Sequence, residues 1–257
     1  MRRADQKWPD TLWIVRHGES AGNVARERAY RNQHPLIDIP TRDPDVPLSE
    51  LGESQAEALG RWFGAMAPEQ RPNVVLTSTY VRAQQTGNII RTTAKLAEDD
   101  STLVVDERLR EKEFGVLDRL TQWGIQAHYP EQAELRLRLG KFYYRPPGGE
   151  SWCDVILRLR SIIDTLTRDY CGDRVLIVCH SVVVLCFRYL LERMTEQDIL
   201  TIDRTDEVAN CAVTAYQFDP QAGRRGRLVL ELYNFVAPIQ QAGDPVTSAP
   251  DVKSVAP

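Results

Sequence analysis

Four consecutive apolar residues, Val175-Leu176-Ile177-Val178, constrain this chain more than any other feature. A strand without apolar-polar alternation has to bury both faces, and such strands belong to parallel sheets covered on each side. The run Leu12-Trp13-Ile14-Val15 has the same character. Further strands are expected at Asn73 to Thr77, Leu103 to Val105, Cys211 to Phe218 and Arg227 to Phe235. Helical spacing fills most of the intervals. Leu51, Ala58, Leu59, Trp62 and Phe63 follow an N-cap at Ser49, and Ile156, Leu159, Ile162, Ile163 and Leu166 recur between Ser151 and Tyr170. Alternating strands and helices predict an α/β fold, a three-layer sandwich with a mostly parallel central sheet flanked by helices. Residues 213–218 and 228–233 alternate and have no helix between them, so an antiparallel edge is expected there.

A chain of 257 residues that is 42% hydrophobic can bury one substantial core, and a single domain is expected over residues 1–236. Three stretches break the rhythm. Arg31 to Pro47, rich in proline and aspartate, reads as a long surface loop; residues 115–149 read as a helical insertion or lid. Residues 237–257, rich in Pro, Ala, Gln and Ser, read as a disordered tail. The net charge of −4 argues against a nucleic-acid-coating protein, and Arg224-Arg225-Gly226-Arg227 reads as a solvated turn. No run approaches the roughly 18 apolar residues of a membrane span. The five cysteines are odd in number, scattered and free of Cys-x-x-Cys pairs, which argues against a disulfide framework or structural zinc and fits a reducing, cytoplasmic setting.

Ligands of parallel sheets sit beyond the carboxyl ends of the strands. Arg16 and His17 follow the first expected strand, Arg82 follows Thr77-Ser78-Thr79, and His180 follows Cys179. Two arginines and two histidines are thus delivered to one edge. Arginine holds a phosphoryl group through paired charge-assisted hydrogen bonds, and a neighbouring imidazole can attack its phosphorus. The helix expected from Ser20 would turn its first N–H groups, and Asn23, to the same edge, where anions are favoured; Asn23 could equally only start the helix. A proton donor for the leaving alcohol is needed, and Glu111 and Glu113 are both candidates. Ser20 and Ser181 are small polar neighbours of the histidines, and Cys179 reads as core.

Arg16-His17-Gly18-Glu19-Ser20 with Asn23, Pro47-Leu48-Ser49-Glu50-Leu51-Gly52, Ser78-Thr79-Tyr80-Val81-Arg82, Glu111 before Phe114-Gly115, and Val178-Cys179-His180 together resemble the histidine phosphatase, or phosphoglycerate mutase-like, superfamily. The resemblance implies that His17 attacks phosphorus and becomes a phosphohistidine. Arg16, Asn23, Arg82 and His180 would bind the phosphoryl oxygens, with Ser181 beside them. Glu111, favoured over Glu113 by its spacing to Gly115, would protonate the leaving oxygen and then activate water. No metal or other cofactor is implied, because the arginines and histidines supply the positive charge. Ser181 stands where most relatives have glycine, and Pro146-Pro147-Gly148-Gly149-Glu150-Ser151 is similar to the superfamily's phosphatases.

The expected function is therefore metal-independent hydrolysis of phosphate monoesters, the substrate being a phosphorylated small molecule or phosphoprotein. Phosphoglycerate mutase-type transfer is one alternative, and a non-catalytic phospho-ligand-binding or scaffold protein is another. Lys141, Arg145 and Arg119 are candidates for reaching an anionic substrate from the lid.

Overall fold

A computed structural model describes residues 6–96 and 101–248. The six strands are β1 (Thr11–Arg16), β2 (Val74–Thr77), β3 (Thr102–Val105), β4 (Arg174–Cys179), β5 (Val213–Asp219) and β6 (Arg227–Phe235). They form one sheet in the order β3-β2-β4-β1-β5-β6. The first four run parallel, and β5 and β6 close one side antiparallel, as their alternation predicts. β4 lies between β2 and β1, and Val175 to Cys179 are all fully buried.

The absence of alternation in β4 has a direct structural counterpart. Val175 and Ile177 enter one apolar core, Leu176 and Val178 the other; Leu12 and Ile14 of β1 divide from Trp13 and Val15 in the same way. Helices α6 (Trp152–Asp169) and α7 (Ser181–Leu191) cover the first face, with α8 (Glu196–Thr205) beside them. Helices α2 (Glu50–Gly64) and α3 (Val81–Thr93) cover the second, joined by Ile239 of α9 (Ala237–Ala242). Ser49 and Ser151 cap α2 and α6 as expected, each accepting a hydrogen bond from a first-turn N–H. The remaining helix before the sheet's second strand is α1 (Ala21–Arg31), capped by Ser20.

Residues 115–149 fold as expected into helical pieces, α4 (Gln122–His128) and α5 (Pro130–Tyr143), around a small separate core of Leu117, Leu120, Ile125 and Tyr144. The 31–47 segment is more than a surface loop. Leu36 bridges Leu120, the Ile37 N–H donates to the Arg119 carbonyl at 2.8 Å, and Thr121 Oγ1 donates to the His34 carbonyl at 2.6 Å. Gly124 permits this approach, since a Cβ there would stand 2.0 Å from the Pro35 carbonyl oxygen. Loop and insertion therefore form one wall.

The expectation of a disordered tail from residue 237 is corrected for residues 237–248. Ile239 is fully buried under α2, the Asn210 N–H donates to the Thr247 carbonyl, and Gln55 Nε2 donates to the Pro245 carbonyl. A low-complexity composition did not prevent order because one isoleucine and a few backbone groups suffice as anchors. Residues 249–257 lie outside the described residues.

Candidate active site

The turn that follows β1 is held on every side by its backbone. The His17 N–H continues the pairing with β4 by donating to the Cys179 carbonyl at 2.9 Å, and Asn210 Nδ2 donates to the His17 carbonyl at 3.0 Å. The Gly18 N–H donates to Thr86 Oγ1 of α3 at 3.1 Å. Gly18 and Gly52 meet here without side chains: a Cβ on Gly18 would lie 2.4 Å from the Gly52 carbonyl oxygen, and one on Gly52 only 1.9 Å from the Glu19 carbonyl oxygen. The start of α2 is thereby pressed against the turn that carries His17.

His17 is 3% exposed, and its two ring nitrogens are distinguished by their partners. Nδ1 lies 2.7 Å from the Gly18 carbonyl oxygen, which can only accept, so Nδ1 carries the proton. Nε2 then keeps its lone pair, and it accepts from Arg82 Nε at 3.2 Å. Burial, the Arg82 guanidinium and the Arg16 guanidinium hold the imidazole well below its ordinary pKa. His17 is thus a neutral imidazole with an available lone pair, as nucleophilic attack requires.

His180 lies beside it, fully buried, with ring centroids 5.1 Å apart and the planes crossing at 62°. Its Nε2 is 2.8 Å from Ser78 Oγ, and its Nδ1 is buried without a hydrogen-bond partner among the described residues. Burial, Arg82 and His17 also press its pKa well below the ordinary value. The two histidines are therefore uncharged in the resting site. Its fixed positive charge comes instead from Arg16 and Arg82, which are 4% and 5% exposed.

These groups open on a cleft of about 550 Å³, counting its mouth, lined by Arg16, His17, Asn23, Arg82, Glu111 and Ser181 among others. The cleft lining thus includes every expected site residue except His180, whose ring lies against that of His17. Asn23 also completes a capping box, its Oδ1 accepting from the Ser20 N–H and hydroxyl, so the two readings of Asn23 coexist. Ser181 opens α7 on the cleft, where the positive end of the helix dipole favours an anion.

The two glutamates differ in place. Glu111 is 6% exposed in the cleft, with Oε2 3.5 Å from Ser181 Oγ. Glu113 is outside the lining and accepts from the Tyr80 hydroxyl at 3.1 Å. The acid segment is fastened to α6 by Arg158, which donates to the Arg108 and Glu111 carbonyls and pairs with Glu150. Cys179 is fully buried, and burial pushes its thiol upward, away from nucleophilic use.

Of the three cations of residues 115–149 considered for an anionic substrate, Arg119 lines the cleft. Lys141 and Arg145 do not: each is drawn into an ion pair, Lys141 with Asp203 at 2.7 Å and Arg145 with Asp154. Ser78, Thr86, Asn210 and Asp43 are further supports of the site, with unequal signals in the sequence. Ser78 carried a signal in its place directly after a buried strand; Asp43, which clamps Arg82 from 39 residues away, had none.

A family model for the histidine phosphatase superfamily (branch 1) matches residues 12–230. The fructose-2,6-bisphosphatase of Saccharomyces cerevisiae is 34% identical over 69% of this chain and 33% of its own length. The 6-phosphofructo-2-kinase/fructose-2,6-bisphosphatase of Caenorhabditis elegans is 30% identical over 84% of this chain and 43% of its own. The chain thus spans less than half the length of these two relatives. Among solved structures, a mycobacterial glucosyl-3-phosphoglycerate phosphatase in complex with VO3 superposes with a TM-score of 0.64 at 24% identity, covering 88% of this chain and all of that one. That likeness concerns the fold.

Proposed function

The chain belongs to the histidine phosphatase superfamily, and from that premise we propose that it hydrolyses phosphate monoesters through a phosphohistidine on His17. The observation that carries this reading is the fixed tautomer of His17, with Nδ1 bound to the Gly18 carbonyl and the Nε2 lone pair facing Arg82. Nε2 forms the N–P bond as the P–O ester bond breaks. For this Nε2 must first give up the Arg82 Nε–H, whose hydrogen bond passes to a phosphoryl oxygen of the bound ester, alongside Arg16, Asn23, the Ser181 N–H and His180.

Glu111 gives its proton to the departing alkoxide, then takes one from water as that water attacks phosphorus and regenerates His17. The positive charge that stabilises the transferring group is supplied by two guanidiniums and the start of α7, so the mechanism needs no metal. Among the described residues no helix is long and apolar enough to cross a membrane. The cysteines Cys179, Cys186 and Cys211 are buried thiols, which fits a reducing compartment, and we place the protein in the cytoplasm.

The test is phosphate release from a panel of phosphorylated metabolites and phosphopeptides in excess chelator, with acid-quenched samples examined for an acid-labile, base-stable phosphoenzyme. Release with an adduct that disappears in His17→Ala supports the reading. Full activity of His17→Ala, or loss of activity on chelation, overturns it. Isomerisation without net release would assign a mutase instead.

A further inference from the structure

The cleft differs in charge between its deep end and its mouth. His17, Arg16 and Arg82 at the deep end are nearly inaccessible, whereas the Asp43 and Asp118 side chains that line the same cleft are 35% and 47% exposed. A phosphoryl group seated against His17 Nε2 must direct its ester oxygen, and the alcohol beyond it, past these carboxylates.

Asp43 meets Arg82 end-on. Its Oδ1 lies 3.1 Å from Nη1 and its Oδ2 3.3 Å from Nη2, while its carbonyl accepts from Nη1 at 2.6 Å. The Nε edge of the guanidinium remains turned to His17. The clamp and a phosphoryl group therefore use different edges of the fork, and Asp43 can stay in place when substrate binds.

Arg26 and Arg119 also line the mouth. Arg119 Nε is 3.9 Å from Asp118 and its Nη1 donates to the Ile39 carbonyl at 3.0 Å. Across the whole cleft Arg16, Arg26, Arg82 and Arg119 face Asp43 and Asp118 besides the acid Glu111, so a bound phosphoryl dianion takes up the remaining positive charge and leaves no surplus for a second anionic group. Burial, and then Asp43, raise the Asp118 carboxyl above its ordinary range, so the two acids act on each other across the opening. Hydrogen-bond donors between them would relieve that repulsion. Ile37, Ile39 and Phe114 supply apolar surface beside them.

We propose that Asp43 and Asp118 select the leaving group: the site takes monoesters of neutral, hydroxyl-bearing alcohols of the sugar or polyol class and rejects esters whose alcohol carries a second phosphate or a carboxylate. This inference rests on the phosphatase reading and adds a substrate class to it. It sets this chain apart from the relatives whose names specify a bisphosphate.

Glycerol 3-phosphate and 3-phosphoglycerate make a matched pair of probes, since they differ in a hydroxymethyl against a carboxylate. For the wild-type protein kcat/KM should favour the glycerol ester by about tenfold or more, because like charges brought together disfavour the carboxylate ester. Asp43→Asn and Asp118→Asn should each shrink that ratio, and the double variant should bring it near unity. A general loss from a loosened Arg82 lowers both rates and cancels in the ratio; Kd values of both esters on His17→Ala give the same comparison without turnover. A wild-type preference for 3-phosphoglycerate, or a ratio unmoved in all three variants, overturns the selection. p-Nitrophenyl phosphate separates the two levels. Its turnover beside an unmoved ratio leaves the phosphatase reading standing, whereas no turnover removes that reading and the inference with it.

Discussion

His17 shows how far one residue's chemistry is set by its neighbours. Its position after a buried strand was legible in the sequence, and so were those of Arg16 and Arg82, because strand ends can be read from apolar runs; Glu111 was set apart from Glu113 only by the family resemblance. Its protonation was not. A free imidazole, with a pKa of about 6.5, would be roughly nine-tenths protonated at pH 5.5. Burial and two guanidiniums push His17 well below that value, so the lone pair on Nε2 should survive into mildly acidic solution. We therefore expect kcat to hold between pH 7 and pH 5.5 in a stopped assay; a tenfold fall over that interval would show that the nucleophile titrates as an ordinary histidine. Asn210 and Asp43 escaped sequence reading for a different reason. Their partners, the His17 carbonyl and Arg82, are distant in the chain, and nothing local marks the pairing.

At the scale of elements, the strands and the two capped helices were legible because period and capping are local properties. The contact between Gly18 and Gly52 was not, since it joins the turn after β1 to the first turn of α2. Gly52→Ala would drive a methyl group into the Glu19 carbonyl oxygen and displace the turn that positions His17. Overpacking of this kind costs about 1–3 kcal/mol, and a displacement near 1 Å can cost on the order of a hundredfold in rate. The variant should melt lower and lose at least about tenfold in kcat; wild-type kinetics would show that the turn yields without consequence. Ser151→Ala tests a simpler element. It removes the hydroxyl that accepts from the Asp154 N–H and should cost about 1 kcal/mol in urea unfolding, with little change in m.

The whole molecule inherits a pH dependence from its two buried histidines. Above about pH 6.5 both the folded and the unfolded chain carry them neutral, so neither contributes a slope. Below it the unfolded chain binds protons that His17 and His180 refuse, and stability falls by up to about 1.4 kcal/mol per pH unit for each. Melting temperatures should decline from pH 6.5 towards pH 5, and replacing both histidines with glutamine should flatten the decline. An unchanged slope in that double variant would assign the acid sensitivity to other groups. The layered architecture was legible from β4 alone, while the alliance of the 31–47 segment with the insertion was not, because it depends on backbone hydrogen bonds between loops that carry no periodic signal.

Residues 244–248 have a consequence for how the molecule is made. Thr247 holds Asn210, which holds the His17 carbonyl, and Pro245 and Thr247 both engage Gln55, whose side chain receives the Glu19 N–H. The first strand and its histidine leave the ribosome early, but the braces beneath them arrive only with this late segment. The turn that carries His17 is thus completed by residues translated well after it, and a substitution or fusion that disturbs residues 244–248 would act on that turn from far along the sequence.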